Sequence, residues 1–193
     1  MSADIEEWPP LNDANAFESL SLDLWKEIWN DSGAQKNGRS GQPQAGIDVF
    51  GRHEGQQIGI QCKQKDELLH IKVTKAELEQ EVKAAQNFRP PLTTFILATS
   101  GPRDALLQEH ARLLSADNER KGLFDIQVWS WKEIWREIYQ RQELLKRIRP
   151  IYWPRQAARE KAQRDRNNHT ILAICSNICC TMLYHRHYCS QEV

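Results

Sequence analysis

Apolar positions along the chain recur with two different periods, and the changes from one to the other mark out its elements. Between Ala14 and Trp29, residues Phe17, Leu20, Leu22, Leu24, Trp25, Ile28 and Trp29 fill one broad arc at about 100° per residue. Asp23, Lys26 and Glu27 lie outside that arc, so the segment is predicted to be an amphipathic helix. Gly46-Ile47-Asp48-Val49-Phe50-Gly51 and Ile58-Gly59-Ile60-Gln61-Cys62-Lys63 alternate with a period of two. They predict the arms of a β-hairpin, closed by the polar and Gly-containing Arg52-His53-Glu54-Gly55-Gln56. Helical character returns over residues 74–87, opened by Thr74 with Glu77 three positions on and stopped before Pro90-Pro91. Thr93-Thr94-Phe95-Ile96-Leu97-Ala98-Thr99 is a nearly continuous apolar run, which suits a central strand buried on both faces. A helix over 104–120, a strand over 124–129 and a helix from Ser130 to about residue 147 follow. In the last of these Trp131, Ile134, Trp135 and Ile138 recur at helical spacing, as core residues rather than a base-stacking platform. The order helix, hairpin, helix, strand, helix, strand, helix implies an α/β fold with a mixed sheet flanked by helices.

The hairpin carries the candidate chemistry. Its second arm points Ile58, Ile60 and Cys62 one way and Gln61 and Lys63 the other, and antiparallel pairing places Asp48 across from Gln61 or one diagonal step away. Asp48, Gln61 and Lys63 thus converge on one face, where an acid, an amide oxygen and an ammonium suit a hard cation held beside a phosphate. Alternation alone is equally the mark of a half-buried strand with a wet face. Cys62, on the packed side, reads as a small buried hydrophobe rather than a nucleophile. Glu18 falls inside the apolar arc of the first helix, next to Trp25 and Trp29. Two readings stay open for it: a carboxylate carried toward the core and there paired or bound to metal, or a first-turn acid favoured by the helix dipole.

Taken together, Phe17-Glu18-x-Leu20 on an N-terminal helix, a Gly-rich loop, Gly46-Ile47-Asp48-Val49 and Gln61-Cys62-Lys63 resemble the PD-(D/E)xK nuclease superfamily, in particular its Mrr-like restriction endonuclease branch. The resemblance covers roughly residues 14–140. It implies a restriction-endonuclease-like sheet and assigns Asp48 as the metal-binding acid, with Gln61 in the slot that is Asp or Glu in most members. By the same resemblance Lys63 orients the attacking water or stabilises charge, and Glu18 is an outlying or metal-coordinating acid. The metal would rest on Asp48, the Gln61 side-chain oxygen and the Cys62 backbone carbonyl, with Glu18 as a further candidate. Mg²⁺ is the expected ion and Mn²⁺ a substitute, because oxygen donors and a phosphate substrate favour them. The expected activity is Mg²⁺-dependent endonucleolytic hydrolysis of double-stranded DNA in bacterial defence, by a homo-oligomer or within a larger assembly. Gln61 removes one negative charge from the site, so the alternative is a catalytically weak nuclease-fold module that binds DNA or a partner protein.

Composition adds a charge asymmetry. The 193 residues carry 26 basic and 26 acidic side chains. Residues 1–31 nevertheless hold eight acids against one Lys, and residues 132–166 hold eleven Lys or Arg against five acids. Arg141, Lys146, Arg147 and Arg149 therefore either form a basic strip for a phosphate backbone or merely solvate a helix face. The acidic N-terminus lacks an apolar signal segment, and the stretch around residues 171–183 is too short and polar to span a bilayer. A cytoplasmic protein with reduced cysteines and no membrane partner is expected. Residues 1–150 are read as the nuclease domain and 151–193 as a basic connector, over 155–166, followed by a Cys- and His-containing tail. That tail holds His169, Cys175, Cys179, Cys180, His185, His187 and Cys189 without the paired C-x₂-C knuckles of a zinc site, so it is read as a terminal appendage or the stub of a longer protein.

Overall fold

The computed structural model describes residues 7–38, 42, 44–65, 71–159, 161, 162, 164 and 166. The Cys and His residues between 169 and 189 lie outside these described residues. The chain divides into two compact units, Met1–Ile148 and Arg149–Val193.

In the first unit, α1 spans Ala14–Trp29 as its periodicity predicts. The Asp13 carboxylate accepts the Ala16 N–H at 2.7 Å, and Asn30 closes the far end in the left-handed region with φ 49°. Phe17, Leu20, Leu24, Trp25 and Trp29 are buried.

The hairpin consists of β2, Val49–His53, and β3, Gln56–Lys63. Its loop is shorter than the five residues expected. Arg52 and His53 pair with Gln57 and Gln56, and only Glu54 and Gly55 remain outside the ladder, both at positive φ (50° and 80°). That geometry is the two-residue turn whose twist matches paired strands. The first arm also starts later, at Val49, because Ala45 and Gly46 form a turn with φ 50° and 64°. A Cβ on Gly46 would lie 3.0 Å from the Ala84 methyl, so this turn packs directly on the next helix.

That helix is α2, Lys75–Ala85, whose Thr74 and Glu77 form the reciprocal cap foreseen in the sequence. It returns the chain to β4, Thr94–Thr99, parallel to β3 and buried along nearly its whole length. Next come α3, Ala105–Arg120, capped by Asp104, and β5, Asp125–Trp129, parallel to β4. A two-residue strand that the sequence did not announce, β1 at Gln35–Lys36, pairs antiparallel with β2. The result is a five-stranded mixed sheet in the order β1-β2-β3-β4-β5, with helices on both faces. On one face α2 and α3 cover a core that includes Leu78, Val82, Phe95, Leu97, Leu107 and Ile126. On the other, α1 brings Trp25 onto Trp129, at 4.6 Å between ring centroids, and Phe17 onto Trp131.

The last predicted helix is two helices. Helix α4, Trp131–Gln140, ends at Arg141 (φ −98°, ψ 77°), and α5, Gln142–Tyr152, follows with Pro150 inside it. Leu144 explains the break: in one continuous helix it would sit about 220° around from Trp131, on the polar side. Re-setting the phase at Arg141 lets Leu144, Leu145 and Ile148 all bury, while Trp131, Ile134, Trp135 and Ile138 keep the core positions expected of them. In the second unit the described residues of 154–166 are helical and mostly exposed. Among the described residues no helix is long and apolar enough to cross a membrane.

Gly51 ties α1 to the hairpin. A Cβ there would meet the Trp29 ring at 2.7 Å and the Ala34 methyl at 2.8 Å. Gly51→Ala is therefore expected to destabilise by about 1–3 kcal/mol, a fall of roughly 2–12 °C in melting temperature, measured by thermal unfolding. An unchanged melt would mean that α1 does not press on β2 at this point.

Candidate functional site

Asp48 sits one residue ahead of β2. Its backbone N–H donates to the Ile60 carbonyl at 2.8 Å, and its carbonyl accepts the Asn37 N–H at 2.8 Å. Extending the Val49↔Ile60 register by one step places Asp48 opposite Gln61, as the hairpin pattern predicted, and each is only 9% exposed. The ladder ends here, and the Cys62 N–H is taken by the Asp48 carboxylate, at 2.7 Å to Oδ2. That contact fixes the carboxylate beside the end of β3, and the Gln61 amide reaches the Cys62 carbonyl from Nε2 at 3.5 Å. One acid, one amide and one backbone carbonyl are thereby collected at a single strand end.

Burial pushes the Asp48 carboxyl up from 3.8 to about 6. The Cys62 N–H pulls the other way, Glu18 raises it further, Lys63 lowers it and Glu81 raises it. Burial likewise drives the Cys62 thiol far above its ordinary range, against a hydrogen bond with Ser21 of α1 that lowers it. A thiol so hard to ionise suits the packing role read from the sequence and not nucleophilic attack.

Lys63 does reach this region, but it is not alone there. Its Nζ lies 2.5 Å from Glu81 Oε1 of α2, with the two side chains 25% and 14% exposed. Two residues on, Lys65 pairs with Glu77 at 2.6 Å. Lys65 lies just past the end of β3 and Glu77 one turn before Glu81 in α2, so both Lys-Glu pairs join the end of β3 to α2. Glu18 follows the reading in which it turns inward and is paired, although it is only half-buried, and not the first-turn reading. It stands beyond the first turn of α1, is 28% exposed, and pairs with Lys36 of β1 at 3.4 Å, while remaining close enough to raise Asp48. Glu81 and Lys36 were not singled out in the sequence, although the matched spacing of Lys63 and Lys65 with Glu77 and Glu81 was a signal for the first.

Among the described residues no three His, Cys, Asp or Glu side chains gather as a metal-binding group. A cation at this place would rest on one carboxylate and neutral oxygens. The local charges suit one all the same, since Asp48, Glu18 and Glu81 outnumber Lys63 and Lys36, and a buried carboxylate such as Asp48 is relieved by a cation. The all-oxygen donor set fits Mg²⁺ or Mn²⁺ keeping several waters.

The basic strip is largely spoken for. Arg141 pairs with Glu137, Lys146 with Glu143 and Arg147 with Glu27, at 2.5, 2.6 and 2.9 Å. Comparisons of the chain with protein-family models, with curated proteins and with solved structures find no match.

Proposed function

We propose that the chain is a metal-dependent endodeoxyribonuclease that hydrolyses phosphodiester bonds of double-stranded DNA, with Mg²⁺ as its ion and Mn²⁺ able to replace it. The reading includes a restriction-endonuclease-like architecture, a cytoplasmic setting, and action in bacterial defence against foreign DNA as a homo-oligomer or within a larger assembly. The observation that supports it most is the buried Asp48 opposite Gln61, held by the Cys62 N–H, with Lys63 next along the same strand.

In this reading each residue has a distinct task. When bound, the ion polarises the scissile phosphate and lowers the pKa of a coordinated water. Asp48, with Oδ2 anchored by the Cys62 N–H, presents its carboxylate in one orientation. Gln61 and the Cys62 carbonyl would complete the protein's share of the donors. Lys63 Nζ orients the attacking water or offsets the negative charge that grows on the phosphate oxygens as the new P–O bond forms and the leaving oxygen departs. Glu81 acts through Lys63, fixing the ammonium at the strand end.

A second reading, the catalytically weak module that binds DNA or a partner, is favoured by one observation: Lys63 is already engaged by Glu81, beside a neutral Gln61. Supercoiled plasmid separates the two. Nicking or linearisation in Mg²⁺ that stops with chelator supports the nuclease. Plasmid binding with intact strands in both Mg²⁺ and Mn²⁺ supports the DNA-binding module, and neither binding nor cleavage contradicts the nuclease and leaves only the partner-binding form of the module.

Gln61 offers a graded check, since amide and carboxylate share a shape and differ by one charge. Gln61→Glu is expected to bind Mn²⁺ about tenfold more tightly and Gln61→Ala more weakly than wild type, by calorimetric titration. Equal affinities for all three would remove Gln61 from the site.

A further inference from the structure

A cleft of about 460 Å³ opens beside the hairpin, on the same strands that carry Asp48 and Gln61. Phe50 and Phe88 line it with rings 5.5 Å apart, and Arg52 and Arg89 stand at it. Each guanidinium has one edge engaged, Arg89 closely and Arg52 at the limit of hydrogen-bond distance. Arg89 Nη1 donates to the Gln86 and Phe88 carbonyls at 2.8 Å each, and Arg52 Nε donates to Gln57 Oε1 at 3.5 Å. The remaining N–H groups of both are left for a ligand, and among the described residues neither guanidinium faces a carboxylate. Arg103, Arg120, Arg141 and Arg147, by contrast, each pair with one. The acid at the cleft, Asp31, spends its oxygens on the Gly33 and Arg52 backbone N–H groups, at 2.8 and 2.7 Å.

Two guanidiniums lining one cleft suit a phosphate, because their planar forks match its oxygens. Phe50 and Arg52 are alternate positions of β2 and Asp48 immediately precedes it, so Arg52 lies about 13 Å from Asp48 along the chain direction of β2. That span is roughly four steps of B-form DNA at 3.4 Å per step. We propose that Arg52 and Arg89 bind a backbone phosphodiester of the DNA a few nucleotides from the bond held at Asp48, setting the register of the strand in the site. This proposal rests on the nuclease reading.

The test is fluorescence anisotropy of the full chain with a labelled 20-base-pair duplex, without divalent ions, over a series of salt concentrations. Arg52→Gln should weaken binding several-fold and flatten the slope of log affinity against log salt by about one, and Arg52→Gln with Arg89→Gln by about two. Arg52→Lys, which keeps the charge, should retain the slope. Arg52 is exposed and its replacement leaves the Arg89 bonds to the Gln86 and Phe88 carbonyls intact, so Arg52→Gln decides the matter even if the double variant folds poorly. Wild-type binding with an unchanged slope in Arg52→Gln would overturn the cleft proposal alone, while Mn²⁺ titration at Asp48 still judges the nuclease reading. A wild-type chain that binds no duplex without divalent ions would likewise overturn the cleft proposal, and plasmid cleavage in Mg²⁺ would still judge the nuclease reading. Displacement of the duplex by a mononucleotide at equal phosphate concentration would assign the cleft to a free nucleotide and overturn the backbone subsite.

Discussion

Asp48→Asn is expected to lose Mg²⁺-dependent DNA cleavage by at least about 10³-fold and yet to melt at a higher temperature than wild type at pH 8. The two changes have one cause. Burial raises the folded-state carboxyl from 3.8 to about 6, so the fold favours the protonated form. The folded chain then holds more protons than the unfolded one between these values. The contribution of Asp48 to stability is complete below about pH 4 and is lost as pH rises to 6, leaving a cost of about 3 kcal/mol in the metal-free protein at pH 8. Asn removes that charge while keeping an oxygen for the Cys62 N–H. Thermal melts without divalent ions should show a gain of several degrees for Asp48→Asn at pH 8 and none at pH 4. A loss of stability at both pH values would show that Asp48 is a structural acceptor and no more.

Lys63→Met is expected to lower the cleavage rate by about 10²–10⁴-fold while leaving Mn²⁺ affinity within a few-fold of wild type. Its charge is assigned to the water and the phosphate rather than to the ion. Glu81→Gln, which keeps Lys63 but loosens its anchor, should lose about tenfold in rate, with DNA affinity unchanged. Single-turnover cleavage at saturating protein reads both. If Glu81→Gln matched or exceeded the wild-type rate, Glu81 would be holding Lys63 away from the reaction, and the weak-module reading would gain.

Much of this arrangement was legible in the chain because it is locally encoded. The arc from Phe17 to Trp29, the Thr74–Glu77 cap and the period of two around Asp48 and Gln61 each specify their element within a dozen residues. What was missed depends on partners distant in sequence. Two residues of β1 are too few to show a period, and they pair only because β2 presents an edge. Lys36 with Glu18, and Lys63 with Glu81, join different elements, so neither pairing can be read from one segment alone. The break at Arg141 was visible only in the phase of Leu144, one residue in a long amphipathic run.

The site reading comes down to whether Asp48 is where a divalent ion binds. Calorimetric titration of Mn²⁺ into the wild-type chain and Asp48→Asn at pH 8, above the range in which protons compete for the carboxylate, measures this directly. The expected result is one ion bound by the wild type and none at this site in Asp48→Asn. Equal uptake by the two chains, or no uptake by the wild type, would contradict a metal-dependent site at Asp48.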